Sequence, residues 1–288
     1  MNEVPILSII TPIYNGEIFI NRCYQNLFLQ TFTDWEWVVV DDGSTDGTVD
    51  AIKKINDNRI NLFSYKTNKG RGFARTKAVN ESRGDWIVIW DVDDMYFPDR
   101  LAKINNARIE GYDFFCSYAV VVDNNFNIKG IRGFMPASNG LPKSFVHPTM
   151  ACRTAISKEI GYKSTIRTGE DAKILWTLSI KYKGMFFEDA LTIYFEEADI
   201  NLKKAIHSNL SQLSQLKELY MENVLVGVKN YFLLYMKYLF KLMALNIMRI
   251  CPSFYPILLN LRAYGETKPD WSLSKERVDF IKHLCISR

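Results

Sequence analysis

Trp86-Ile87-Val88-Ile89-Trp90, followed at once by Asp91-Val92-Asp93-Asp94, is the stretch on which the fold turns. An unbroken apolar run of this length predicts a strand buried on both faces, as in parallel sheets. The run stops abruptly in carboxylates. Working upstream, Leu7-Ser8-Ile9-Ile10 predicts a short buried strand that Thr11-Pro12 ends, Glu36 to Val40 a second strand and Ile60 to Tyr65 a third. Helical spacing fills the intervals at Ile18 to Gln30, Thr48 to Ile55 and Gly72 to Ser82. This alternation predicts an α/β fold: a mainly parallel sheet with helices on both faces. Ligands of such sheets bind beyond the carboxyl ends of the strands. Those ends carry Pro12 to Asn15, Asp41-Asp42 and Asp91 to Asp94, so three polar clusters should meet on one edge.

Downstream the pattern loosens. A strand is expected at Phe114 to Val122, a Gly/Pro/Ser-rich connection from Gly130 to Lys143, and a helix from about Glu170 to Lys181. Ser208 to Ile250 reads as one or two long helices. At about 100° per residue, Glu222, Lys229, Asn230, Lys237 and Lys241 fall on one polar arc of such a helix, with apolar and aromatic residues elsewhere. The domain reading is therefore a catalytic unit over 1–205, with a ligand-binding half at 1–100 and a second half at 101–205, and a helical region at 206–288.

The 288 residues are 48% hydrophobic and 24% charged, which excludes a disordered chain. A formal net charge of +4 without basic runs argues against nucleic acid as a partner. The cysteines Cys23, Cys116, Cys152, Cys251 and Cys285 form no CxxC pair, and read as reduced core residues of a cytosolic protein. The amino terminus has no signal-peptide pattern, and lysines and an arginine interrupt the apolar region from Val224 to Leu261, so a spanning helix is not expected.

Two constellations carry chemistry. Carboxylates two apart at a strand end, Asp91 and Asp93, can share a hard divalent cation that takes its other ligands from substrate phosphates; an acidic turn or helix cap is the other reading. Asp41-Asp42-Gly43-Ser44-Thr45-Asp46-Gly47-Thr48 can offer a carboxylate to a base or ribose and bring backbone close to a ligand, or form a tight turn and a cap.

Taken in order, Ser8 to Asn15, Gln30-Thr31-Phe32 before Trp35-Glu36, Val39 to Thr48, Asn68-Lys69-Gly70 with Ala74-Arg75, and Gly84 to Asp94 resemble the family 2 glycosyltransferases of GT-A fold. The resemblance covers roughly the first hundred residues in order and spacing. It implies a nucleotide-sugar donor, with Pro12 and Tyr14 lining the base, Asp42 hydrogen-bonding a base that is usually uracil, and Asp41 structural. Asn68 and Arg75, helped by Arg71, should face ribose and diphosphate. Asp93 should bind Mn²⁺ or Mg²⁺ directly, with Asp91 near the ribose or a metal-bound water. Where the family often has Ala-Arg-Asn-x-Gly, this chain has Ala74-Arg75-Thr76-Lys77-Ala78.

Thr168-Gly169-Glu170-Asp171 is similar to the family's Glu-Asp segment, which implies Asp171 as general base and Glu170 beside it on the acceptor side; the other reading is that both serve a helix amino terminus. His147 occupies a position that is polar, acceptor-side or metal-proximal in relatives, or else is a structural histidine. One displacement would invert the anomeric configuration. The acceptor expected is a glycan or lipid-linked glycan, as in bacterial surface-polysaccharide assembly. The aromatic, lysine-flanked carboxy-terminal helices fit either a membrane surface at the inner face of the cell membrane or packing against protein, a second copy included. A polyprenyl-phosphate glycosyltransferase and a non-catalytic sugar-nucleotide-binding scaffold are the rival readings.

Overall fold

The computed structural model describes residues 4–134, 145–166, 168–196, 201–225, 227–251 and 273–286. Most of the Gly/Pro/Ser-rich connection, Val226, the stretch from residue 252 through Leu261 and the Cys285 side chain lie outside the described set. The first half follows the predicted alternation: β1 (Leu7–Ile13), α1 (Glu17–Phe28), β2 (Trp35–Asp41), α2 (Thr48–Lys53), β3 (Ile60–Ser64), α3 (Arg71–Glu81) and β4 (Trp86–Ile89). Its strands lie in the order β3-β2-β1-β4, all parallel. Successive side chains point to opposite faces. Trp86 and Val88 therefore join Ile9 and Trp37 in one core under α1, while Ile87 and Ile89 join Ile10 and Val38 in the other under α3.

One expectation at β1 fails. The strand does not stop at Pro12 but runs through it to Ile13. Pairing with β4 ends at Ile10, and beyond that point β1 has only β2 beside it, so a residue without an N–H is tolerated there.

The second half comprises β5 (Met95–Tyr96), α4 (Arg100–Ile109), β6 (Phe114–Val122), β7 (Ile128–Arg132), a 3₁₀ turn at His147–Thr149, β8 (Ala151–Arg153), α5 (Thr154–Ile160), α6 (Ala172–Lys181) and β9 (Gly184–Phe195). It extends the sheet in the order β4-β8-β6-β9-β5, with β7 on β6. Among the described strands here only β6 and β9 pair in parallel, so the sheet is parallel from β3 to β4 and mixed beyond.

Two long helices, α7 (Leu202–Met221) and α8 (Val228–Ile250), follow. The break around Asn223 and Gly227, both at positive φ, removes Glu222 from the polar arc expected for one continuous helix. Ala172 and Trp176 of α6 pack with Leu216 and Leu219 of α7 and Leu234 of α8. The last described helix, α9 (Lys275–Ile286), returns to β5 and β9, where Arg277 pairs with Asp99 and Asp189 and its guanidinium lies 4.4 Å from the Phe97 ring centroid.

The amino-terminal ends of the strands are locked by Glu36, which is buried. Its carboxylate accepts from Ser8 Oγ (2.6 Å), Asn61 Nδ2 (3.0 Å), and the backbone N–H and Nε of Arg83 (2.7 and 2.8 Å). Removing it leaves those donors unsatisfied, so Glu36→Ala should lose about 3 kcal/mol in urea denaturation. The carboxyl ends of the strands, at the opposite edge of the sheet, should keep their structure in the folded fraction.

Candidate active site

At the carboxyl ends of β1, β2 and β4 the three polar clusters converge around a cavity of about 400 Å³. Their loops are fastened to one another before any ligand arrives. Asn15, at φ 50°, accepts from the Thr45 N–H (2.8 Å), and its own N–H donates to Ser44 Oγ (2.8 Å). The Gly16 N–H donates to Thr48 Oγ1 (2.9 Å). Asp41 accepts from Ser44 N (3.1 Å) and Ser64 Oγ (2.7 Å), joining the turn after β2 to the end of β3. Asp42 accepts from the N–H groups of Lys69 (2.9 Å) and Gly70 (2.7 Å), drawing the loop before α3 over the end of β2. Gly43 makes that approach possible: its φ is +79°, and a Cβ would sit 2.7 Å from the Thr67 backbone.

Beyond β4, the chain turns tightly through the acidic run. The Asp91 N–H donates to Tyr96 Oη (2.9 Å), Arg22 of α1 donates to the Asp93 carbonyl (3.0 Å), and buried Asp94 accepts from Phe195 N (3.2 Å). Beneath them the buried guanidinium of Arg100 donates to the carbonyls of Ile89 (3.0 Å) and Pro148 (2.7 Å). Burial brings its pKa down to about 10 despite the opposing pull of Tyr96 and Asp94.

Pro12, Tyr14, Asp42, Asn68, Arg71, Asp91 and Asp93 all line the cavity. Tyr14 is half-exposed at its rim. Arg75, expected at ribose and diphosphate, does not reach the wall. It is 2% exposed and held between Asp91 (3.0 Å) and Glu170. Its guanidinium is taken up by those two carboxylates on the buried face of α3, whereas Arg71, in the first turn, is exposed and lines the cavity together with Ala74.

Charge in this pocket is unevenly shared. Burial would lower the Arg75 pKa, but Asp91 and Glu170 reverse that and raise it. Burial alone would raise Asp91, yet the Arg75 charge wins and holds it below the usual carboxylate range. At Asp93, which keeps an exposed edge, partial desolvation and the Asp91 charge outweigh the pull of Arg71 and Lys204 and raise its pKa.

His147 is buried, 2.8 Å from Tyr162 Oη through Nε2, and off the cavity wall. Burial and the nearby Arg75 charge hold its pKa well below normal, so it stays neutral. Glu170 is turned to Arg75, and burial raises its pKa against that attraction. Asp171 occupies the N-cap position of α6, which begins at Ala172 rather than at Glu170, and its side chain makes no capping hydrogen bond.

Lys204, in the first turn of α7, also lines the cavity, as do Tyr194 and Phe195 at the end of β9. The sequence reading passed over all three. The available signal was Lys203-Lys204 at the start of a helix with no acidic residue in its first turn, where the macrodipole disfavours cations.

Among the described residues no group of three or more His, Cys, Asp or Glu side chains could hold a metal ion alone. Hard divalent ions that take one or two carboxylates and complete their shell with substrate phosphates do not need such a group. Exposed Asp93, with Asp91 beside it on the cavity wall, fits that donor set.

Residues 8–170 match the family model described as glycosyl transferase family 2. The chain belongs to that family. Among its curated relatives, a glycosyltransferase named EpsE from Bacillus subtilis is 30% identical over 215 residues, 69% of this chain and 76% of that protein. The succinoglycan biosynthesis protein ExoO of Rhizobium meliloti is 35% identical over 200 residues, 61% of this chain and 56% of that one. Another relative is covered over only 45% of its length.

Two solved structures share the fold. The mannosyltransferase PcManGT from Pyrobaculum calidifontis, in complex with GDP-Man and Mn²⁺, superimposes with a TM-score of 0.60 at 17% identity, over 99% of this chain and 86% of that one. S. aureus TarS with UDP-GlcNAc gives 0.59 at 18% identity, over 83% and 72%. The sheet is thus that of a GT-A glycosyltransferase.

The raised pKa of Asp93 carries a stability consequence. A carboxylate whose folded pKa exceeds its unfolded one opposes folding while ionised, and the penalty fades as pH falls through the folded value. At pH 7 in EDTA, Asp93→Asn should therefore melt at or slightly above wild type, the gain being limited by solvent screening of an exposed side chain. Adding Mn²⁺ with a nucleoside diphosphate should raise the wild-type melting temperature and leave the variant behind.

Proposed function

We propose that this glycosyltransferase moves a sugar from a nucleotide sugar, with a UDP-sugar as first choice, to a hydroxyl of a glycan or lipid-linked glycan, inverting the anomeric configuration. The observation that carries the reading is the single cavity wall shared by the base-side residues Pro12, Tyr14 and Asp42 and the acidic residue Asp93. Tyr14 offers a stacking face, and Asp42, already oriented by two backbone N–H groups, offers a carboxylate to the base. Asn68 sits beside them for the ribose. Arg71 and Lys204 bring positive charge to the cavity for the diphosphate, a role that the burial of Arg75 leaves to them.

Asp93, with Asp91 at the ribose or a metal-bound water, would hold Mn²⁺ or Mg²⁺. When bound, the cation acts as a Lewis acid that offsets charge on the leaving nucleoside diphosphate. Asp171 accepts the proton of the attacking hydroxyl. The freedom of its side chain from capping supports this role over a merely helix-terminal one. Glu170 acts on the acceptor side by fixing that segment to Arg75, and His147 supports the same wall from behind as a neutral residue.

The relatives' role in polysaccharide synthesis supports a surface-glycan acceptor. α8 supports a place at the inner face of the membrane: Leu233, Phe240, Met243 and Ile247 are exposed at helical spacing, lysines 237 and 241 lie alongside, and the helix carries no acidic residue. No helix among the described residues is long and apolar enough to cross a membrane. A second copy of the chain is the competing partner for this stripe.

Release of nucleoside diphosphate from a panel of UDP-, GDP- and dTDP-sugars, with Mn²⁺, Mg²⁺ or EDTA, tests the reading. One donor should turn over only with metal, and Asp93→Ala and Asp171→Ala should each lower kcat by about 10³-fold. Turnover that survives both substitutions would refute it. In flotation with vesicles, wild type should bind anionic bilayers better than neutral ones, and Phe240→Glu should weaken that binding.

A further inference from the structure

α7 does more than follow the catalytic sheet. Its first turn places Lys204 on the cavity wall, and about three turns later Gln215 is buried completely against the segment that carries Asp171. Gln215 Nε2 donates to the Gly169 carbonyl (2.6 Å) and to Ser211 O (3.1 Å), and its Oε1 accepts from the Lys173 N–H (3.0 Å). The two partners outside its own helix flank Glu170, Asp171 and Ala172. Gly169 lies so close to α7 that a Cβ there would meet Ser208 Oγ at 2.7 Å.

Lys173 is the second residue of α6, so its N–H is one of those that no carbonyl of the helix can satisfy. The ordinary partner for that N–H is the side chain of the N-cap residue, and aspartate is among the best at it. Asp171 holds the N-cap position and does not make the bond. The acceptor comes instead from another helix.

We propose that Gln215 is a positioning residue for the reaction: by capping α6 from α7, it leaves the Asp171 carboxylate free for the acceptor hydroxyl. The proposal rests on the reading of Asp171 as general base. Glu170 pinned to Arg75 on one side and the Gln215 clamp on the other fix the backbone around a side chain that itself stays uncommitted. The helical region is on this account part of the catalytic apparatus.

The test compares Gln215→Leu, Gln215→Glu, Asp171→Asn and the Gln215→Leu/Asp171→Asn double variant. Affinity for UDP and GDP is measured by calorimetry, and kcat by nucleoside diphosphate release from the donor that wild type uses. Leucine removes the acceptor, and Asp171 should turn back onto the Lys173 N–H, a bond visible in a crystal structure of the variant. Nucleotide affinity should stay within about 3-fold of wild type while kcat falls about 100-fold, the scale of a misplaced catalytic group. Gln215→Glu, which keeps an oxygen for that N–H, should retain more activity than leucine. The double variant should be no slower than Asp171→Asn alone.

Wild-type kcat in Gln215→Leu beside an inactive Asp171→Asn would overturn the proposal and leave the base assignment standing. Full activity in Asp171→Asn would remove the base assignment itself. Loss of nucleotide binding together with turnover in both Gln215 variants would make Gln215 a residue of the fold alone, which also overturns the proposal.

Discussion

One guanidinium, that of Arg75, ties the β4 end of the sheet to the segment before α6, just behind the candidate site. It reaches from α3 to Asp91 past the end of β4 and to Glu170 before α6. Burying a charge costs several kcal/mol unless it is paired and hydrogen-bonded, and removing one partner of such a pair is worse than never having built it. With both carboxylates in place the cation is stable there. The neighbouring imidazole of His147 stays uncharged, and Tyr162, hydrogen-bonded to that imidazole, lies beneath the guanidinium with its ring centroid 5.9 Å away. The distance between the donor carboxylates and the Asp171 segment is thereby set by a rigid planar group and not by loops.

The donor side was legible because its signal is local. Strands covered on both faces must be apolar throughout, and the residues that leave them must turn. Trp86 to Trp90 and Glu36 to Val40 therefore announce both a strand and the place where a ligand can sit. The strand at Phe114 to Val122 was readable to the residue for the same reason. Tyr14, Asp42 and Asp93 could be placed because motif and strand end coincide.

What escaped was non-local. β9 has exposed Glu188 and partly covered Asp189 in its middle and slips register against β6, so neither alternation nor an apolar run marks it. β8 is three residues long. Arg75 was given to the diphosphate because its neighbours resemble a donor motif, although the spacing of Ala74, Ala78 and Val79 already places it on the inward face of α3. Gln215 and Lys204 meet the site only through the packing of α6 on α7, which no short window of sequence contains.

The strand order also has a temporal side. β1 to β4 are consecutive in the chain and pair only among themselves until β8 arrives, so the donor side of the sheet can close once about ninety residues have left the ribosome. β5 must wait, since its partner strand is β9, roughly a hundred positions later, and Arg277 must travel 178 positions back to reach Asp99. During synthesis, therefore, the strand ends that carry Pro12, Asp42 and Asp91 are assembled well before Tyr194, Phe195 and Lys204 arrive to complete the cavity wall. The order of translation builds the floor of the cavity first and closes its rim last.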